Sequence, residues 1–147
     1  MSERAESVVR DYYDALRNGE ALEPYFLEDE TTVKFGISEG LFGFEQVSEA
    51  LREQSCTTDE WTIESTNLVV DEHDEYATVA DEVTMAWTDT ESGERRRFET
   101  RWSGTLVRRE SGSVDDSSGE PTESRNTDGE RPAWAFHAMH VSTPDEL

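Results

Sequence analysis

The sequence predicts an α+β domain in which a curved, mainly antiparallel sheet wraps around helices near the N-terminus. Two observations carry this prediction. Apolar residues recur at helical spacing in the first third of the chain, whereas from Trp61 onward they recur at every second residue. Short polar turns separate these later segments, as in an antiparallel meander. Because 147 residues are enough to bury a core, we expect a single domain over residues 1–147.

Three helices and one short strand are predicted before residue 58. The first helix, over 2–18, should bury a stripe of apolar residues and end at Gly19. That stripe comprises Ala5, Val8, Val9, Tyr12, Tyr13, Ala15 and Leu16. A short helix over 22–27, a strand over 31–35, a glycine-punctuated loop over 36–43 and a helix over 44–54 follow.

Four strands are predicted in the rest of the chain, over 61–70, 76–88, 95–109 and 134–142. Between the last two lies a segment, 110–131, in which Ser, Gly, Asp, Glu and Thr dominate and Val114 is the only aliphatic residue. Such a composition cannot offset its ordering entropy by burial. We therefore interpret 110–131 as a disordered acidic insertion.

The last strand is apolar on both of its faces, although a third of the whole chain is charged. Strict alternation would place Trp134, Phe136, Ala138, His140 and Ser142 on one face and Ala135, His137, Met139 and Val141 on the other. A strand that is apolar on both sides must be covered on both sides. We expect the helices to cover one face and a second copy of the chain to cover the other, giving a homodimer.

The charge of the chain is strongly one-sided. Asp and Glu total 35 against 13 basic residues, for a net charge of −22, and Lys34 is the single lysine. Acidic residues spread through a folded domain are typical of proteins that work in multimolar salt, where the Debye length falls to ~3 Å or less. We expect a halophilic cytoplasm as the location. Nucleic acid is not an expected partner, because only 95–97 and 108–109 are locally basic. A membrane is not expected either, because no segment approaches the ~20 apolar residues of a span or contains a signal peptide.

Several short patterns resemble the SnoaL-like branch of the nuclear transport factor 2-like superfamily. The closing strand resembles the pattern W-x-I-x-H-x-H-x-S through Trp134, His140 and Ser142, with Ala138 in place of the first His. Arg101-x-Ser103, Arg108-Arg109 and the segment 43–47 resemble further family positions. The resemblance implies a cone-shaped sheet, a pocket between sheet and helices, and a dimer through the other sheet face. It implies no particular reaction, since members include ketosteroid isomerases, polyketide cyclases, dehydratases and non-catalytic modules.

Asp81 is the main candidate for chemistry, because it interrupts the otherwise apolar face of the strand 76–88. A carboxylate on such a face is either paired, exposed at an edge, or functional. By analogy with ketosteroid isomerase, Asp81 could be a base, His140 a general acid or orienting group, and Tyr13 a hydrogen-bond donor. Alternatively, Asp81 pairs with Arg101 or Arg97 across the hairpin and fixes only the register.

The candidate ligand-binding residues are Trp87, Trp102, Trp134 and Arg101. The three tryptophans could form an aromatic wall for a flat ligand, or they could simply pack in the core. Arg101 could bind a carboxylate if its face lines the pocket, but it faces the dimer partner if Trp102 does so instead. No metal-site spacing or cofactor motif is present. We expect a small-molecule-binding protein, with a cofactor-free isomerase, cyclase or dehydratase that uses Asp81 and His140 as the alternative.

Overall fold

The computed structural model describes residues 4–37, 39–109 and 131–144, and within them it contains two α-helices and seven strands. The predicted insertion 110–131 therefore lies outside the described residues, apart from Arg131. The elements in chain order are α1 (Ala5–Asn18), a 3₁₀ turn (Glu23–Tyr25), β1 (Val33–Phe35), β2 (Gly40–Phe42), α2 (Phe44–Thr57), β3 (Thr58–Ser65), β4 (Val69–Glu72), β5 (Tyr76–Asp89), β6 (Arg95–Arg108) and β7 (Trp134–Ser142).

The strands form one mixed, curved and open sheet in the order β2-β1-β7-β6-β5-β3, with β4 also pairing with β5. The pairing of β1 with β7 is parallel, and the other pairings between these seven strands are antiparallel. The helices lie against one face of this sheet, which we call the inner face; the opposite face is called the outer face. The predicted α+β fold is confirmed. No helix in the described parts of the chain combines the length and apolar character that crossing a membrane needs.

Helix α1 supplies the apolar layer that covers the inner face. All seven residues of its predicted apolar stripe are buried, and Gly19 ends the helix in the left-handed region at φ 69°. At the other end of α1, a carboxylate oxygen of Glu72 accepts a hydrogen bond of 2.9 Å from the backbone N–H of Ala5. This hydrogen bond satisfies one free N–H of the first turn and lowers the pKa of Glu72. The helix is thereby joined to β4.

Three predicted elements differ from the structure. The segment predicted as a helix over 22–27 is only the 3₁₀ turn, and the predicted loop 36–43 contains β2. The predicted strand 61–70 is divided into β3 and β4. The division has a local cause: the backbone N–H of Thr66 bonds the carbonyl of Glu82, while that of Asn67 bonds the side chain of Asp81. A side chain takes the place of the regular backbone ladder at this point.

A β-bulge at His137 changes the faces of β7. Thr105 pairs with Ala138 and Leu106 pairs with Phe136, so His137 is an extra residue on β7. Before the bulge, Trp134 and Phe136 are buried; after it, the buried residues are Met139 and Val141, while Ala138 and His140 are exposed. The prediction that Trp134, Phe136, Ala138 and His140 share one face is therefore wrong, because strict alternation does not hold across a bulge.

Gly104 of β6 lies beside this bulge. A Cβ atom built on Gly104 would meet the backbone carbonyl oxygen of Ala138, which cannot move without disturbing the pairing of β6 with β7. Glycine thus permits the two strands to approach closely where the register shifts.

Candidate ligand-binding site

A cavity of about 210 Å³ lies between the inner face of the sheet and the helices. Most of its wall is aromatic or aliphatic, and a smaller part carries charged or polar groups. The lining residues are Tyr12, Leu16, Lys34, Gly36, Ile37, Glu39, Gln54, Thr58, Trp61, Met85, Trp87, Trp102, Met139 and Val141. Since a water molecule occupies ~30 Å³, the cavity has room for a small organic molecule but lies below the ~300–1,000 Å³ of typical drug-sized sites.

Three tryptophans form the aromatic part of the wall. The rings of Trp61 and Trp87 stack with their centroids 4.7 Å apart and their planes 24° from parallel. The indole N–H of Trp61 donates to the hydroxyl of Thr58, and that of Trp102 donates to the hydroxyl of Thr100, each at 2.8 Å. Because both indole N–H groups have partners, these residues present fixed apolar ring surfaces to the cavity.

The charged part of the wall is an ion pair that the sequence reasoning missed. The ammonium of Lys34 donates to a carboxylate oxygen of Glu39 at 2.9 Å. The side chain of Lys34 is only 9% exposed, whereas that of Glu39 is 39% exposed. One signal in the sequence could have indicated this site: Lys34 is the single lysine of a chain whose other twelve basic residues are arginines. It also stands in a predicted strand between apolar neighbours.

Asp81 does not line the cavity but is the centre of a separate buried hydrogen-bond cluster. One carboxylate oxygen accepts from the hydroxyl of Tyr13 at 2.7 Å and from that of Ser65 at 2.6 Å. The other oxygen accepts from the backbone N–H of Asn67 at 3.0 Å. The cluster thus joins α1, the end of β3 and the segment that follows it to β5. Tyr13 and Asp81 contact each other, but neither lines the cavity, whereas the sequence reasoning placed both in the ligand pocket.

Burial acts on the two adjacent tyrosines of α1. Desolvation is the largest cause that raises the pKa of Tyr13, and the hydrogen bond to Asp81 raises it further. Desolvation also raises the pKa of Tyr12, with a smaller contribution from the carboxylate of Glu39. Both phenols are therefore neutral hydrogen-bond donors throughout the ordinary pH range.

His140 and Arg101 lie on the outer face, away from the cavity. Asp81 pairs with Trp102, which in turn pairs with Val141, so these three side chains share the inner face. His140 is the neighbour of Val141 and points to the opposite side, where its ring lies 5.8 Å from that of Phe35. His140 and Asp81 therefore do not converge on one point, as the enzyme alternative would require.

The alternation of β6 resolves the alternatives left open for Arg101. Trp102 is buried on the inner face, so Arg101 is exposed on the outer face. The same alternation places Arg97 on the outer face, which excludes the expected pairing of Asp81 with either arginine. Asp81 instead has the hydroxyl and backbone donors described above.

Trp134 is a core residue and does not line the cavity. It is fully buried, and the guanidinium of Arg108 lies 4.4 Å from the centroid of its ring. Of the three tryptophans predicted to form a ligand wall, Trp87 and Trp102 line the cavity. Within residues 4–37, 39–109 and 131–144, no group of three or more His, Cys, Asp or Glu side chains is arranged to hold a metal ion.

The chain belongs to the SnoaL-like domain family, whose sequence model matches residues 5–112. This range runs from the start of α1 to just beyond β6. A comparison with curated proteins finds no significant match.

Solved structures place the fold among nuclear transport factor 2-like proteins. A superfamily protein of that name from Salmonella enterica has a TM-score of 0.70 at 12% identity, over 96% of this chain and 89% of that one. A protein from Novosphingobium aromaticivorans, assigned provisionally as a scytalone dehydratase, has a TM-score of 0.67 at 17% identity, over 95% and 81%. A ketosteroid isomerase-like protein from Erwinia carotovora has a TM-score of 0.65 at 13% identity, over 96% and 94%. At such identities, the likeness shows the fold alone.

The Tyr13–Asp81 hydrogen bond generates a stability prediction. The substitution Tyr13→Phe removes a buried donor, and we expect it to lower the free energy of unfolding by about 1–3 kcal/mol at neutral pH. Because the native pKa of Tyr13 is raised above the unfolded value of 10.0, its stabilisation is complete below pH 10 and is lost as the pH rises beyond that value. The difference between wild type and Tyr13→Phe should therefore shrink at pH 11. Urea unfolding at both pH values measures it.

The matched control is Tyr76→Phe, since Tyr76 is 46% exposed. We expect that variant to unfold within about 0.5 kcal/mol of wild type. A Tyr13→Phe protein as stable as the control would contradict a stabilising role for the Asp81 cluster.

Proposed function

We propose that this protein binds a small, flat and largely apolar molecule in the cavity between the sheet and the helices, without transforming it. The stacked pair of Trp61 and Trp87, facing the same cavity as Trp102, is the observation that carries the proposal. Rigid aromatic walls with occupied indole N–H groups favour ring-shaped ligands, because stacking adds to the gain from burying apolar surface. The cavity volume of about 210 Å³ favours one or two fused rings over a molecule of steroid size.

The geometry gives less support to the enzyme alternative, a cofactor-free isomerase, cyclase or dehydratase. General acid–base catalysis requires both groups within reach of one substrate, roughly 3 Å from the protons they transfer. Asp81 and His140 are on opposite faces of the sheet, and Asp81 already accepts three hydrogen bonds. We propose that Tyr13 and Asp81 instead anchor α1 to the sheet.

We further propose a homodimer formed through the outer face. That face carries exposed apolar groups near its β1 and β7 strands, including Phe42 (60% exposed), Phe35 (39% exposed) and Ala138. The rings of Phe35 and Phe42 pack edge to face at 5.7 Å, and the ring of Phe35 also lies edge to face with that of His140 at 5.8 Å. Adjacent exposed aromatic residues on a sheet face are typical of protein interfaces.

The proposed setting is the cytoplasm of a halophile. A net charge of −22 on 147 residues opposes a compact state at low ionic strength through self-repulsion. Exposed ion pairs such as Arg10–Glu6 and Arg17–Asp14 contribute little each and cannot offset that excess. Screening by salt removes most of the repulsion.

Removing one tryptophan of the stacked pair should weaken ligand binding. With 2-naphthamide as a neutral two-ring probe, we expect Trp87→Ala to raise the dissociation constant by roughly tenfold, because a stacking surface is lost. Equilibrium dialysis in multimolar KCl measures the constant. Tyr76→Ala is the control, since it truncates an exposed aromatic residue of the same strand, and should bind as wild type does. Equal binding by Trp87→Ala and wild type would overturn the proposed site.

The proposed dimer predicts that a charge in the middle of the outer face separates the subunits. Ala138 is exposed between β1 and β6, so Ala138→Glu should convert a sedimenting dimer into a monomer in multimolar KCl. Ala21→Glu introduces the same charge at an exposed position outside the sheet and should leave the dimer intact. A wild-type protein that sediments as a monomer would contradict the proposal.

The halophilic setting predicts a salt-dependent stability. We expect the melting temperature to rise steeply between about 0.01 M and 1 M KCl, the range in which the Debye length falls from ~30 Å to ~3 Å. Sucrose stabilises folded proteins without screening charge, so it should not reproduce the steep part of this rise. Differential scanning calorimetry measures both series. An unchanged melting temperature across the KCl series would count against adaptation to high salt.

A further inference from the structure

Lys34 places an ammonium group in the cavity wall. It lies in β1, where its Cα partners are Leu41 of β2 and Met139 of β7, so its backbone is held on both sides. Its side chain is 9% exposed and its ammonium bonds the carboxylate of Glu39 at 2.9 Å. A buried ammonium needs an anion beside it, because an unpaired buried charge is very costly.

The two halves of this ion pair are held very differently. Glu39 belongs to the connection between β1 and β2, and its side chain is 39% exposed. Gly36 supplies the space for it, since a Cβ atom at Gly36 would lie 2.7 Å from a carboxylate oxygen of Glu39. The carboxylate of Glu39 thus borders solvent, into which its side chain can turn, whereas the side chain of Lys34 is almost fully enclosed.

We propose that the ligand of this cavity is a small aromatic carboxylate, and that its carboxylate replaces that of Glu39 on the ammonium of Lys34. This inference rests on the proposed ligand-binding function and specifies the class of ligand. In the free protein, Glu39 occupies the anion position; in the complex, the ligand occupies it and Glu39 is in solvent. The ligand ring then lies against Trp61, Trp87 and Trp102.

The energetics favour replacement of the Glu39 carboxylate by the ligand carboxylate over addition of a second carboxylate beside it. Replacing one carboxylate by another leaves the number of buried charge pairs unchanged, so the ion pair contributes recognition more than affinity. The net affinity comes from burying the ring against the tryptophans, at ~25 cal/mol per Å² of apolar surface. A neutral ligand that takes the same position displaces the carboxylate of Glu39 without replacing it. The ammonium of Lys34 is then left unpaired, so the neutral ligand binds less tightly.

The strongly acidic surface gives a reason for a buried cation at this position. In multimolar salt, exposed arginines such as Arg101 are screened over a few ångströms and attract anions weakly, while a buried charge is screened much less. Tyr12 lines the same cavity, and its phenol is kept neutral by burial and by Glu39. The site thus offers a protected ammonium and a neutral wall.

The test compares 2-naphthoate with 2-naphthamide, which has nearly the same shape but no charge. Equilibrium dialysis in multimolar KCl is applied to wild type, Lys34→Met and Glu39→Gln, with the melting temperature recorded for each. For wild type we expect 2-naphthoate to bind about tenfold more tightly than 2-naphthamide. Lys34→Met should abolish that preference while 2-naphthamide still binds. Glu39→Gln should strengthen 2-naphthoate binding severalfold, because the competing carboxylate is gone.

The outcomes separate this inference from the function on which it rests. If wild type binds 2-naphthamide at least as tightly as 2-naphthoate, the carboxylate class is wrong and the ligand-binding function stands. If neither probe binds, both proposals fail. If Lys34→Met does not fold, the proposal is still tested by two measurements: the preference of wild type for 2-naphthoate over 2-naphthamide, and the affinity of Glu39→Gln for 2-naphthoate. Unchanged 2-naphthoate binding by Glu39→Gln would overturn the exchange of carboxylates.

Discussion

The extra residue that His137 adds to β7 determines which side chains of the central strand meet the helices. Without it, His140 would lie on the inner face and Met139 and Val141 on the outer one. With it, Met139 and Val141 complete the apolar wall of the cavity, and His140 joins Phe35 outside. Gly104 permits this arrangement, because no larger residue fits opposite the shifted carbonyl of Ala138. One irregularity therefore excludes a histidine from the cavity and makes its wall more apolar.

The two buried charged residues described on the inner face, Asp81 and Lys34, differ in what satisfies their charge. Asp81 accepts three hydrogen bonds from groups on separate elements, which satisfies most of its acceptor capacity, and it does not line the cavity. Among the residues that the structure describes, the ammonium of Lys34 bonds the carboxylate of Glu39, which is the more exposed member of the pair. A charge satisfied by the framework stabilises the fold, whereas a charge satisfied by a movable side chain is available for exchange.

Periodicity in the sequence was sufficient for most of the fold. The apolar stripe of α1 and the long strands β5 and β6 follow from spacings of 3.6 and 2 residues, since each element has one face against the core. The bounds of β7 follow from its short run of mainly apolar residues. The short edge strand β2 and the division of β3 from β4 could not be predicted from these spacings. Both depend on pairing with distant residues, such as the bond from Asn67 to Asp81, which local sequence does not encode.

The candidate site was less predictable for the same physical reason. The inner face of β5 was predicted correctly, including Asp81 and Trp87, because β5 is regular there. His140 was assigned to the wrong face because a bulge shifts the alternation of side chains by one residue. Since the strand is apolar on both faces, its sequence contains no change of pattern that would reveal the bulge.

The sequence also directed attention to Arg101 as the cation for a carboxylate, yet the buried cation of the cavity is Lys34. The other twelve basic residues of this chain are arginines, so the single lysine stands apart by composition rather than by motif. A compact ammonium on a flexible stem can also be accommodated in a narrow wall between strands, where a planar guanidinium with five donors would need more partners. The single lysine therefore stands at a buried position, where the space and the available partners decide which basic residue fits.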